Sequence, residues 1–443
     1  MKKIIIVVVL AALVLFFGAP YFTGKVAETE TRKMVDKINL SSAEYGSTEI
    51  LNYDRGIRST SARYKYTPPI ALTAISSEFG EIVFACESSH GVTGIDYTCA
   101  LEGESAYSRF VAENLDGKDP ISVYGSISAF GGINQTIALD EVKGLEVDGA
   151  TLNFPNAELS IDTDASASKF DINGYSDSFE MGGQGENLSV GKMSIEGDFE
   201  KITGALFTGD MLMKVDHVDM KSVLGDTSIK SITMSTNASE HGDNLSSQLQ
   251  FSVKEIAAAA SPLGTVEDLD LKLDLIGLDK QSIIDYQEFT QRMQRDILSS
   301  LESGTEPQAN PADMAQMMPI LEGLLKQGLE VNSKVSAKLD GKPNKINLEL
   351  KLLEALTLAQ MPLFMTNPDD ALKKLDVALD ASLDKSLVDS QPMAATFIGQ
   401  SPLVNAGSDD YSIDLALGKE IKLNGKVMSF SELQILVFSS MPF

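Results

Sequence analysis

Three histidines, two cysteines and several acid pairs are the residues through which this 443-residue chain could do chemistry. His90 precedes Gly91 and follows Ser88 and Ser89. Hydrolysis would need that imidazole within reach of a nucleophile and an orienting acid. Neither serine sits in a nucleophile-elbow pattern, so His90 reads as a turn residue between strands. His217 in "KVDHVDM" and His241 in "SEHGDN" neighbour acids. Zinc needs three or four converging ligands, and no short spacing supplies them. Asp162 with Asp164 and Asp268 with Asp270 read as pairs on one strand face, a pattern open to calcium or acid–base chemistry. A solvated strand face accounts for them without further assumption. "GGQGENLSVGK" (182–192) has glycines and a lysine, but its spacing is not that of a P-loop. The expectation is a non-enzyme with no metal and no cofactor.

Cys86 and Cys99 have twelve residues between them. In an oxidising compartment they could close a loop and contribute about 2–4 kcal/mol; in the cytosol they would be reduced. The amino terminus, "MKKIIIVVVLAALVLFFGAPYFTGK", bears on which applies. After Lys2 and Lys3, Ile4–Gly24 gives 21 uncharged residues, and a helix needs about 20 to cross a bilayer. Small residues are wanted one and three places before a cleavage site. Phe17 and Phe22 occupy the third place before the two nearest cuts, and Pro20 would follow the first of them. The segment therefore reads as a retained anchor, residues 1–24. The lysines stay in the cytoplasm and the body lies outside, with Tyr21 and Phe22 at the far interface. The expected location is a bacterial inner membrane with the body in the periplasm, where a Cys86–Cys99 disulfide becomes plausible.

Hydrophobic residues make up 43% of the chain, enough for a sizeable core. The formal net charge is −27, from 63 acids and 36 bases. That excludes a nucleic-acid binder, whose ligand demands a basic footprint, and disfavours general adsorption to anionic headgroups.

Positioning elements follow from periodicity. A polar, membrane-proximal helix is expected over 25–40. From 41 to 278, runs of period-2 alternation are punctuated by Gly, Asn and Asp, as antiparallel hairpins with one buried face require. In "VEDLDLKLDLIGLD" (266–279), Leu269, Leu271, Leu273 and Leu275 share one side. Helical period appears at 279–328, where a helical hairpin is expected. Its second helix carries Met314, Met317, Met318 and Leu321, an adaptable apolar surface. Strands resume over 329–443 and end in a short helix, with Ser429 and Glu432 spaced as a capping box. The fold class is mainly β (α+β): an extended, curved antiparallel sheet with a helical hairpin insertion and one N-terminal transmembrane helix.

Four stretches resemble the YdgA-like family of bacterial proteins of unknown function. They are "YFTGKVAE" (Tyr21–Glu28), "YDRGIRSTSA" (Tyr53–Ala62), "SSHGVTG" (Ser88–Gly94), where the usual following Pro is absent, and "LNGKVMSFSEL" (Leu423–Leu433). The resemblance implies one membrane span and a periplasmic body, and brings no catalytic residues. Together these readings point to an envelope protein presenting a β-sheet for scaffolding or binding. The alternative is lipid or acyl-chain binding or transfer along a β-groove. The expected partners are the inner membrane through the N-terminal helix, a lipid or an envelope protein, and a second copy of the chain.

Overall fold

A computed structural model describes residues 19–41, 46–68, 81–103, 106–147, 149–164, 166–183, 185–203, 206–223, 225–259, 264–302, 311–360, 372–399 and 401–439. The chain is mainly β and divides into two compact units. Unit 1 comprises 1–183, 192–207 and 290–308; unit 2 comprises 184–191, 208–289 and 309–443. Most of the expected anchor, residues 1–18, lies outside the described residues. Among the described residues, no helix is long and apolar enough to cross a membrane.

In unit 1, helix α1 (Ala19–Ser41) leads to strands β1 (Ser47–Arg55), β2 (Ser59–Thr67), β3 (Ile82–His90) and β4 (Gly94–Glu102). After helix α2 (Ala106–Asn114) come β5 (Ile121–Ser128), β6 (Ile133–Leu139), β7 (Val142–Val147), β8 (Ala150–Phe154), β9 (Ala157–Thr163), β10 (Lys169–Ser176) and β11 (Phe179–Gly183). Beyond β12 (Glu186–Val190), which is counted in unit 2, β13 (Met193–Thr203) belongs to unit 1. Strands β1 to β6 pair in chain order, all antiparallel, and the sheet continues through β9, β10 and β13. Strand β8 pairs antiparallel with β7 and with β11.

The helix expected over 25–40 begins earlier, at Ala19, and is not simply polar. Ala27 is buried with Ile95 and Ile127 in one core cluster. Thr23 is also buried. At its far end, Asn39 makes two 2.8 Å hydrogen bonds with the backbone of Thr48, one donated and one accepted. One face of α1 is thereby tied to the sheet.

Unit 2 is an antiparallel meander. Strand β14 (Leu206–Lys221) pairs with β12 and with β15 (Thr227–His241); then follow β16 (Asn244–Ala258), β17 (Val266–Asp279), β18 (Glu330–Leu339), β19 (Lys342–Leu352) and β20 (Leu375–Asp384). Helices α3 (Lys280–Glu302) and α4 (Pro311–Leu324) fall between β17 and β18. Asp279 caps α3: its carboxylate accepts from the backbone N–H and hydroxyl of Ser282, at 2.9 and 2.6 Å, and pairs with Lys326 at 2.5 Å. Gly323 of α4 is packed so closely on Ser282 that a Cβ there would collide with its hydroxyl.

Helices α5 (Lys385–Ser390) and α6 (Pro392–Phe397) follow β20. The closing elements are β21 (Asn405–Ala406), β22 (Asp410–Leu417), β23 (Ile421–Leu423), β24 (Lys426–Met428) and α7 (Phe430–Ser439), with β22 beside β20. Asn424 and Gly425 both have positive φ, 49° and 79°, as a type I′ hairpin turn requires. Ile421, Leu423 and Leu433 form the buried centre of this end of the unit.

The leucine face of β17 is answered by register. Leu271 lies opposite Phe251 on β16 and Val335 on β18, and Leu273 opposite Leu249 and Ser333. The rows run on through Ile346 and Leu348 of β19 to Ala381 and Leu379 of β20. The opposite face is a lateral polar ladder, with Gln250 donating to Asp270 at 2.9 Å and Gln248 to Asp274 at 2.8 Å. Asp268 departs from the simple alternation. It has φ 48° at a register shift between β17 and β18, a bulge that re-aims its carboxylate toward Lys254 and Lys338. Asp268 and Asp270 are therefore not an equivalent pair on one regular face.

Candidate functional site

The face of β1–β6 that α1 crosses encloses a cavity of about 330 Å³. The pairing registers show how alternation builds its floor. One row across the sheet reads Ala62, Cys86, Cys99, Val123, Ile137. The next reads Thr60, Ser88, Tyr97, Gly125, Gln135. The third reads His90, Ile95, Ile127, Ile133. Tyr53, Tyr64, Phe84 and, from α1, Thr31 complete the wall. Gly125 is required where it stands: a Cβ would lie 2.7 Å from the Tyr97 hydroxyl and would collide with the carbonyl of Asn134. Its missing side chain makes room for the tyrosine ring.

No charged side chain lines this cavity among the described residues. Its polar atoms are hydroxyls and the amide of Gln135. Burial pushes the Tyr97 hydroxyl up to about 12. Burial also raises Tyr64, helped by its neighbours Tyr53 and Tyr97, and raises Tyr53, helped by Glu28. All three phenols are thus neutral at physiological pH in an apolar surround. Tyr53 is hydrogen-bonded to Thr60, and Tyr64 to Thr31 of α1. Such a chamber suits the apolar part of a ligand carrying a neutral hydroxyl or carbonyl.

Cys86 and Cys99 face each other across β3 and β4 and are joined by a disulfide in the cavity floor. They cross-link the two central strands of the chamber.

His90 is not a turn residue. It is the last residue of β3 and is buried. Its Nδ1 lies 3.2 Å from the Ile57 carbonyl and its Nε2 2.8 Å from the Thr60 hydroxyl. A carbonyl only accepts, so Nδ1 carries the proton and Nε2 accepts from Thr60. Gly24 of α1 rests on the imidazole so closely that a Cβ would collide with it. The Thr23 hydroxyl lies 2.9 Å from the Gly91 carbonyl. The Arg55 guanidinium stacks 4.6 Å from the Tyr21 ring centroid and pairs with Glu28 at 3.0 Å. Three stretches far apart in sequence, 21–28, 53–62 and 88–94, thus meet at one junction that fixes α1 to the sheet. Local patterning carries no signal for this convergence.

The remaining sequence candidates stand elsewhere. Met317 and Leu321 of α4 are half-buried, Met318 is exposed, and Met314 lies in the same helix. They belong to unit 2. His217 lies 3.8 Å from Asp219, and His241 lies 3.2 Å from Ser239. Asp162 accepts from Asn134 at 2.6 Å, whereas Asp164 lies beyond the end of β9 and closes a turn through Ser166 and Ser168. Among the described residues, no group of His, Cys, Asp or Glu could hold a metal ion.

The fold and site define an antiparallel β protein with a helix laid over an apolar, disulfide-floored chamber. The chain belongs to the DUF945 family, described as bacterial proteins of unknown function, whose model it matches over residues 1–401. No curated protein and no solved structure matches it.

Proposed function

We propose that this is a non-enzymatic cell-envelope protein of the YdgA-like type that binds the apolar part of a lipid in the chamber of unit 1. The observation that carries the reading is the uncharged cavity of about 330 Å³, floored by aliphatic side chains and edged by three neutral tyrosines. That volume is within the range of small-molecule sites, at its lower end. An acyl or isoprenoid chain with a hydroxyl or ester near its end matches both the apolar floor and the neutral phenols. The protein is held at the inner membrane by its N-terminal segment and its body lies in the periplasm. An oxidising compartment supports that placement, because it preserves the Cys86–Cys99 bond.

The test is mass spectrometry of lipid released from the purified full chain, compared with the Val123→Phe/Ile137→Phe variant, whose added rings fill the floor. The reading requires lipid on the parent protein and less on the variant. A lipid-free parent protein would remove its basis.

A second reading, an envelope scaffold, draws support from unit 2. Ile346 and Leu348 are 41% and 37% exposed within apolar rows of its sheet. A second copy or an envelope protein laid on that face would cover them. Sedimentation of the full chain in detergent tests self-association; Ile346→Lys/Leu348→Lys should shift an assembly to monomer.

A further inference from the structure

We propose that the hairpin turns at one end of the unit 1 sheet form a rim that inserts into the periplasmic interface of the bilayer, seating the body directly on the membrane. The proposal rests on the anchor reading above and adds to it a surface with a lipid partner.

Three turns gather at this end: 56–58 between β1 and β2, 91–93 between β3 and β4, and 129–132 between β5 and β6. Backbone hydrogen bonds hold them together. His90 donates to the Arg58 carbonyl and Ala129 to the Thr93 carbonyl, each at 2.7 Å. The start of α1 is held at the same end by Thr23 on Gly91 and Gly24 on His90.

Each contributor turns an apolar side chain outward. Phe130 is 90% exposed, Phe22 60%, Ile57 53%, Val92 51% and Tyr21 48%. Single exposed hydrophobics need no explanation. Five clustered where one sheet end meets one helix start do.

Charge separates this end from the other. In a chain of net charge −27, the stretches 55–59, 90–95 and 128–133 contain no acid and two arginines, Arg55 and Arg58. The opposite end of the same strands carries Glu102, Asp116, Asp119, Asp140 and Glu141. Arg55 is paired with Glu28 at 3.0 Å, so the turns present an apolar surface carrying little net charge, which suits a bilayer interface.

Length selects the occupant. Pro20 and Thr23 are both buried on the body. The uncharged stretch free for a bilayer is therefore Ile4–Ala19, 16 residues. Since about 20 residues are needed to cross, none is left for a linker. The membrane surface then falls at Tyr21 and Phe22, level with Ile57, Val92 and Phe130.

The chain has no tryptophan, so Phe130→Trp would introduce a lone fluorescent reporter at the rim. Lys118→Trp, at the opposite end, serves as its control. Each full-length variant is reconstituted into phosphatidylethanolamine–phosphatidylglycerol vesicles made with or without brominated acyl chains. Flotation and emission are then measured. The expected result is that both variants float, that Phe130→Trp emits in the blue and loses emission with brominated lipid, and that Lys118→Trp emits as in water and is unaffected. If both float and Phe130→Trp also emits as in water without quenching, the rim proposal is overturned while the anchor stands. If neither floats, both fall.

Discussion

Burial holds the His90 imidazole below its ordinary value of 6.5, with Arg55 adding to the effect and the Ile57 and Pro20 carbonyls opposing it. The folded protein therefore prefers the neutral ring, which accepts from Thr60. As pH falls through the unfolded value, the unfolded state takes up the proton first, and stability is lost until the folded ring also titrates. The protection factors of the α1 amides, which remove the intrinsic slowing of exchange at lower pH, should fall between about pH 7.5 and pH 5.5, and His90→Gln should flatten that dependence; equal protection at the two pH values would contradict the assignment. Gly24→Val drives a side chain into the same ring and should cost about 1–3 kcal/mol, read as a lower unfolding midpoint. Asp164 shifts in the same sense, through hydrogen bonds instead of burial. The hydroxyls of Ser166 and Ser168 hold its carboxyl well below the usual range, so its contribution is present above about pH 4 and fades below it.

At the scale of elements, α1 and the β3–β4 pair carry the strongest expectations. Replacing both Cys86 and Cys99 by serine should cost about 2–4 kcal/mol, measured by denaturant unfolding. It should also weaken lipid retention, because the bridge lies in the chamber floor. At the carboxyl end, Ser429 donates to Glu432 at 2.8 Å while the Glu432 N–H lies 3.3 Å from its hydroxyl. Ser429→Ala should therefore cost about 1 kcal/mol in thermal unfolding.

These local devices were legible in the sequence. Period-2 alternation punctuated by Gly, Asn and Asp marked the strands, and Ser429 with Glu432 marked a cap. Each signal lies within a few residues. The bulge at Asp268 was missed, although the adjacent acids Glu267 and Asp268 in "EDLDLK" break the alternation where one positive φ shifts the register. The docking of α1 was hidden. Its contacts join Gly24 to His90, 66 positions apart, and the charges of "VAETETRK" mask the narrow stripe of Thr23 and Ala27 that meets the sheet.

At the scale of the whole molecule, the two units pose different problems. In unit 1 an apolar sheet face is crossed by a helix and keeps a chamber beneath it. The chamber could not be read from sequence, since it depends on four cross-strand registers and on the room Gly125 leaves for Tyr97. In unit 2 the apolar rows were legible strand by strand, but their incomplete cover at Ile346 and Leu348 was not, because burial depends on what lies above a face. The central claim is that unit 1 binds lipid in its chamber. Its most direct measurement is titration of the full chain with a fluorescent fatty acid, alongside Val123→Phe/Ile137→Phe and the control Ile346→Phe. The account predicts saturable binding to the parent and to Ile346→Phe, and loss of binding in the filled-chamber variant at an unchanged unfolding midpoint. Equal binding by all three proteins, or none by the parent, would contradict it.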